Sequence, residues 1–252
     1  MRIAGICISL VAMLLFAASG YAAIDPGTIV AAWSFNEGSG TVAGDSSGNG
    51  NDGTIVDATW ADGKIGKALE FDGAEARVEV PALGSFDELT IAEWAYCTGK
   101  VGDWRVLINN EGWSQGWVHH QLHPNNQVEF SIHSNVGGND TFANFAFDDS
   151  QLGVWHHIAT AYNSKEGWIR FYVDGELNVE NSWGGNPAVL DVARIGHWDG
   201  RGWQGILDEF IILNVALEEG DIKGLMDRGI EAASVEPTTK LTAKWGGLKA
   251  RY

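Results

Sequence analysis

Trp168-Ile-Arg-Phe-Tyr-Val-Asp174, followed by Gly175 and the run Glu176–Val179, decides the fold class. Successive side chains of a strand point to opposite faces, so Ile169, Phe171 and Val173 line one face of the first run. Asp174-Gly175 supplies the left-handed residues a tight hairpin needs, and Glu176–Val179 returns alongside. Short alternating runs broken by Gly, Asn and Asp fill the chain on either side. They are Ile29–Asn36, Lys64–Phe71, Arg77–Val80, Leu89–Cys97, Trp104–Asn109, Gln127–Ser134, Val154–Tyr162 and Gly205–Asn214. Many strands with closely spaced turn signals specify an all-β sandwich of two antiparallel sheets. Helical periodicity is confined to Glu218–Arg228, where Ile222, Leu225 and Met226 form an apolar stripe. No βαβ rhythm appears, which disfavours a parallel α/β enzyme fold.

The composition narrows the function classes. The 252 residues are 45% hydrophobic, enough for one large domain with a full core. Lys and Arg total 16 against 33 Asp and Glu, a formal net charge of −17. That balance denies nucleic acid and anionic lipid the basic field they require, and it favours cations.

Met1–Ala22 reads as an export signal: Arg2 precedes the apolar run Ile3–Ala18, and Gly20 and Ala22 supply the small-residue cleavage pattern. The run is short for a membrane span, so no membrane insertion is expected after cleavage. Residues 23–230 form the expected domain, and 231–252 a linker and tail. Pro237–Tyr252 carries four basic residues and no acid, whereas Ile24–Glu236 carries 11 basic against 33 acidic residues. Cys7 leaves with the signal, so Cys97 has no intrachain disulfide partner. The expected location is secreted or extracytoplasmic.

Several segments, in order, carry a family resemblance. They begin with Ala32-Trp-Ser-Phe-Asn-Glu-Gly38 and Asp45-Ser-Ser-Gly-Asn-Gly-Asn-Asp-Gly53, then Gly66-Lys-Ala-Leu-Glu-Phe-Asp-Gly73 and Val78-Glu-Val-Pro81. Leu89-Thr-Ile-Ala-Glu-Trp94, Trp155-His-His-Ile-Ala159 and Phe171-Tyr-Val-Asp-Gly175 follow, and Gly205-Ile-Leu-Asp-Glu-Phe210 with Asn214-Val-Ala-Leu217 closes the series. Together they resemble bacterial LamG-like jelly-roll domains of the concanavalin A-like lectin/glucanase superfamily. The resemblance implies a jelly-roll sandwich of two curved antiparallel sheets, one short helix near the C-terminus, and often a bound calcium. It implies no single activity, because such domains bind sugars or proteins or serve as spacers. Glu93 departs from the family, which places a small residue before the strand tryptophan.

Calcium takes oxygen ligands on a flexible loop, and Asp45, Asn49 and Asn51 stand among glycines in such a loop. The resemblance sets the first and last strands side by side, which would bring Asp208 to the loop, and Asp72 is a further candidate. The same Asn, Asp and Gly residues also serve as turn formers. Glu70-Phe-Asp-Gly-Ala-Glu75 matches the string Glu-x-Asp-x-x-Glu of related glucanases. However, Gly73 is expected to turn the chain before Glu75, so no catalytic residue is assigned. His119, Gln121 and His123 share a strand face and read as exposed polar positions.

Glu93, between Ala92 and Trp94 in a hydrophobic strand, is expected to be substantially buried, so that either a partner such as an Arg or a His satisfies it or its pKa is raised, with pairing favoured of the two. Trp33, Trp94 and Trp155 sit at family core positions. Trp104, Trp113, Trp117, Trp183, Trp198 and Trp203 fall in or beside Gly-rich loops. Sugars stack apolar C–H faces on indoles while polar side chains take their hydroxyls. Trp113, Trp117, Trp198, Trp203, His119 and Asp199 are therefore the candidate ligand-binding residues, with Asn110 and Gln115 close in sequence. The expected function is non-catalytic recognition of a glycan or an extracellular protein ligand, with a structural calcium. A display scaffold is the alternative, and a glycoside hydrolase the distant one.

Overall fold

A computed structural model describes residues 24–99, 102–135 and 140–234. The expected signal and the basic tail lie outside them. The hairpin read from the sequence is present, with Asp174 at φ 50° and Gly175 at φ 80°, both in the left-handed region.

The first strands in chain order are β1 (Ile29–Trp33), β2 (Val42–Ala43), β3 (Gly53–Val56), β4 (Thr59–Asp62), β5 (Lys67–Asp72) and β6 (Arg77–Val80). Next come β7 (Gly84–Phe86), β8 (Glu88–Cys97), β9 (Arg105–Asn110), β10 (Val118–Leu122), β11 (Gln127–Ile132) and β12 (Asp140–Ala146). The last are β13 (Trp155–Asn163), β14 (Trp168–Val173), β15 (Glu176–Ser182), β16 (Ala188–Leu190), β17 (Ala193–Ile195) and β18 (Gln204–Leu213), followed by α1 (Glu219–Ser234).

Two eight-stranded antiparallel sheets form the sandwich. The first runs β15-β14-β13-β8-β18-β5-β4, with β1 also paired to β18; the second runs β12-β11-β10-β9-β17-β6-β3-β2. A small third sheet pairs β7 with β16. The opening strand lies beside the closing one, Trp33 opposite Phe210 and Ala32 opposite Ile211. All these features fit the jelly-roll sandwich expected from the sequence.

The main core lies between the sheets and includes Trp33, Phe71, Ile91, Phe130, Phe171, Trp203 and Phe210. Ile169 and Phe171 point into it as the alternation predicts, and Val173 packs against it. The opposite face of that strand is not left to solvent. Trp168 and Tyr172 join a second cluster with Ile211, Leu217, Ile222, Leu225 and Ile230, so α1 covers the outer face of the first sheet. The helix departs from helical geometry at Gly229, whose φ is 71°.

Glu93 is wholly buried, yet neither carboxylate oxygen has a partner among the described residues. It shares a strand face with Leu89, Ile91, Ala95 and Cys97, all members of the main core. Burial pushes its pKa well above the ordinary range, which favours the neutral acid. Of the two alternatives the sequence left, the raised pKa is the one found, and the favoured Arg or His partner is absent among the described residues. Among the family-core tryptophans, Trp33 and Trp94 are buried, whereas Trp155 is half-buried beside Tyr96.

Candidate functional site

The second sheet turns an unusual face away from the core. On β10, Val118 and Leu122 belong to the main core, while His119 and Gln121 occupy the intervening outward positions. Neighbouring strands bring Asn109 opposite His119 and Glu129 opposite Gln121. The Asn109 amide donates to Gln121 Oε1 at 2.8 Å, and the Gln121 amide donates to Glu129 Oε1 at 3.2 Å. Ser131, two residues along from Glu129, donates to Asp140 at 2.9 Å. A polar ladder thus crosses four strands.

Aromatic side chains from the loops roof this ladder, so its middle is buried rather than exposed. The expectation that His119 and Gln121 are exposed positions is corrected: both are fully buried. Trp113 lies over His119 with ring centroids 3.8 Å apart, and Trp198 meets the same imidazole edge-on at 4.8 Å. The two indoles are 5.8 Å apart at 84° to one another. Trp113 keeps 47% of its surface exposed, and Trp198 is half-buried. Beside them a depression of about 400 Å³ is lined by Glu111, Gly112, Arg194, Trp198 and the exposed Asp199. Arg194 is ion-paired to Glu111 at 2.5 Å.

Burial sets the protonation states. Desolvation holds the His119 pKa down at about 4, so its ring is neutral at pH 7. Nε2 lies 2.9 Å from the Gly112 carbonyl and must carry the proton, because a carbonyl only accepts. Nδ1 is then an acceptor, with no partner among the described residues. Desolvation raises the Glu129 pKa to about 8, against a smaller lowering by the Gln121 hydrogen bond. Its Oε2 also lacks a partner among the described residues, so a neutral carboxyl has a hydrogen-bonding position free.

The other candidate ligand residues divide differently. Trp203 is completely buried in the main core, 6.0 Å from Phe147, and is withdrawn from the ligand set. Its loop position is misleading because the chain dips inward there: Trp203 donates its backbone N–H to Gly196. Trp117 is half-buried, and its backbone bridges to Val189. Asn110 is wholly engaged: its amide donates to the Val118 and Val189 carbonyls, and its oxygen accepts from Asp191. Gln115 bonds Asn135 and Asn186 at the surface.

The candidate calcium ligands are held by turn chemistry. Both oxygens of Asp45 are taken: Oδ1 accepts from the Ala32 and Ser47 backbones, and Oδ2 from Ser47 Oγ and the Asn51 backbone. Those four donors fill the lone-pair positions of a carboxylate. Asn49 and Asn51 direct their amide nitrogens, which cannot ligate a cation, at the carbonyls of Ile29 and Val30. Asp72 caps the Ala74 backbone. Asp208 is buried and accepts from Ile65 and Glu209, with its pKa raised to about 6 by desolvation. Among the described residues no group of three or more His, Cys, Asp or Glu is placed to hold a metal. This donor set does not fit the expected shared calcium site.

The glucanase-like string is not one continuous strand, since β5 ends at Asp72. Glu70, Asp72 and Glu75 are all exposed, and Gly73 at φ 82° turns the chain between them, as expected. No helix among the described residues is long and apolar enough to cross a membrane.

A family model described as the concanavalin A-like lectin/glucanases superfamily matches residues 72–223. Among solved structures, domain 4 of AbnA, a GH43 extracellular arabinanase from Geobacillus stearothermophilus in complex with arabinotriose, is similar. Its TM-score is 0.64 at 19% identity, over 79% of this chain and 98% of that one. The botulinum neurotoxin serotype D ligand-binding domain in complex with N-acetylneuraminic acid matches at TM-score 0.65 and 13% identity. That match covers 80% of this chain and 51% of the toxin domain. A sialidase from Trypanosoma rangeli matches at TM-score 0.57 and 14% identity, over 79% of this chain and 33% of the enzyme. At such identities the likeness shows the fold alone. No curated protein matches the sequence.

Proposed function

The chain belongs to the concanavalin A-like lectin/glucanase superfamily, and from that premise we propose that it is a secreted, non-catalytic module that binds carbohydrate. The observation that carries this reading is the half-exposed Trp113 indole, stacked on a buried imidazole beside Trp198 and over the polar ladder. A pyranose lays its C–H face on such an indole, and fixed amide and carboxyl groups take its hydroxyls. Trp113 and Trp198 are the stacking surfaces, and Asp199 at the rim is a hydroxyl acceptor. The arabinotriose and N-acetylneuraminic acid complexes of similar folds support a saccharide over a peptide ligand. Export is supported by the N-terminal apolar run. The turn at Gly73, which takes Glu75 off the strand of Glu70 and Asp72, supports binding without hydrolysis at that string.

A glycan array followed by calorimetry on the best binder tests the reading. Saccharide binding that Trp113→Ala weakens with little change in the melting temperature is the expected result. Failure of every glycan on the array to bind would replace it with a display-scaffold role.

A further inference from the structure

Arg201 lies on this face beside Trp198, and its setting is unusual for so acidic a chain. Its guanidinium lies 5.2 Å from the Trp104 ring centre and 5.0 Å from that of Trp198, between two indoles. It is half-exposed and makes neither an ion pair nor a side-chain hydrogen bond among the described residues. Carboxylates are not scarce, at 33 against 16 basic residues. Lys67, Arg77, Lys165, Arg170, Arg194 and Lys223 each have one.

Stacking between rings leaves the in-plane N–H groups of a guanidinium pointing outward, where they suit a planar bidentate acceptor. The turn that carries Arg201 is fixed at both ends, by Arg201 N–H donating to Trp198 and Val106 N–H donating to Arg201. The backbone of Arg201 is therefore anchored beside the Trp198 stacking surface, within reach of both rings.

Resting on the carbohydrate-binding reading, we propose that this face selects saccharides that carry a carboxylate, with the Arg201 guanidinium pairing with that carboxylate while the sugar ring stacks on Trp113 and Trp198. Glu129 interacts electrostatically with Arg201 and would cancel its charge if ionised, but burial keeps this carboxyl neutral near pH 7. The other titratable and charged groups around the site are His119, His133, Asp140, Arg194 and Asp199; Arg194 is already committed to Glu111. His119 is neutral at pH 7 and adds no charge.

The test compares matched ligands by calorimetry on the full chain: oligogalacturonide against its carboxyl-reduced form, and sialyllactose against lactose. The acidic member of at least one pair should bind roughly ten- to a hundredfold tighter at pH 7, the span of one charge-assisted contact. Arg201→Gln should collapse that ratio towards one, and Arg201→Lys, which keeps the charge but loses the planar fork, should fall between. Raising the pH to about 9.5 should weaken acidic ligands selectively in the native protein and not in Glu129→Gln, because only the native site acquires a second charge there. Equal affinity for acidic and neutral members overturns the inference and leaves carbohydrate binding intact. Binding of neither, with an array that is also blank, overturns both. If Arg201→Gln lowers the melting temperature, the Arg201→Lys ratio and the pH arm still decide.

Discussion

The indole of Trp113, nearly half exposed, rests with its centre 3.8 Å from that of the fully buried His119 imidazole. An aromatic platform facing solvent is thereby supported from beneath by a strand side chain. Loop mobility would make such a ring a poor stacking surface, and the strand removes that mobility.

Trp113 and Trp203 should therefore respond oppositely to truncation. Trp113→Ala removes an exposed platform and should weaken saccharide binding by about 1–3 kcal/mol with little change in melting temperature. Trp203→Ala opens a cavity in the main core and should cost about 3–5 kcal/mol of stability. Calorimetric binding and thermal melts on the two variants make the comparison. A large stability loss in Trp113→Ala would remove the platform argument.

Glu93→Met should stabilise the protein. The native carboxyl is completely buried with no partner for either oxygen among the described residues, so burial is uncompensated. A thioether of similar length restores an apolar neighbour to Ile91 and Ala95, and a gain of about 1–3 kcal/mol is expected near neutral pH. Chemical denaturation at pH 7 measures it, and a lower midpoint would mean that Glu93 has a compensating role.

Stability should be greatest in a mildly acidic window. Glu129, at about 8, and Asp208, at about 6, have folded pKa values raised above 4.5 and 3.8. Their contribution is fully present below the unfolded values and is lost as pH rises through the folded ones. His119 at about 4, His120 at about 3 and His157 at about 4 are depressed from 6.5. Theirs is present above 6.5 and is lost as pH falls through the folded values. The two sets oppose one another between about pH 4.5 and 6.5, where the maximum should lie. Melts at fixed ionic strength across about pH 3.5 to 9.5 locate it, and Glu129→Gln should flatten the decline between about pH 6.5 and 8. A maximum above pH 8 would contradict these assignments.

Calcium should leave the melt unchanged. Asp45 already accepts four hydrogen bonds, so a cation would have to displace donors that the loop needs. A ligand bound only to the folded state raises stability by mass action, so chelated protein titrated with millimolar calcium is a direct measurement. A rise of several degrees would reverse the conclusion. Asp45→Ala should destabilise the protein with or without calcium, because it strands those backbone donors.

The strands were legible because alternation is a local property: Ile169, Phe171 and Asp174-Gly175 announce themselves without reference to the rest of the chain. The helix stripe of Ile222 and Leu225 was legible for the same reason. The site was legible only in part. Trp113 and Trp198 were expected and are together with Asp199 at their rim, whereas His119, expected among the ligand contacts, lies buried beneath them. Trp203 was misplaced because loop composition does not report which way a side chain points. Glu129 and Arg201 were missed, although Glu129 between Val128 and Phe130 carried a period-two signal that its side chain faces away from the core. Trp198 stands only three residues from Arg201, but the second indole, Trp104, meets it through the packing of distant segments, which no local pattern marks. Asp45, Asn49 and Asn51 illustrate the opposite difficulty: the residue types that bind calcium are also those that build turns.

The pairing of β1 with β18 has a mechanical consequence. The Asn214 N–H donates to the Thr28 carbonyl at 2.9 Å, so segments far apart in sequence meet at one corner of the sandwich. The two strands run antiparallel from that corner, with Ile29 opposite Leu213. Tension applied at residues 28 and 214 would load their cross-strand bonds one after another, from the corner inward, and not all at once in shear. This strand pair would therefore unzip under modest force when pulled at those two residues. Loaded there, the domain would yield at this corner while the aromatic face on the other sheet was still intact.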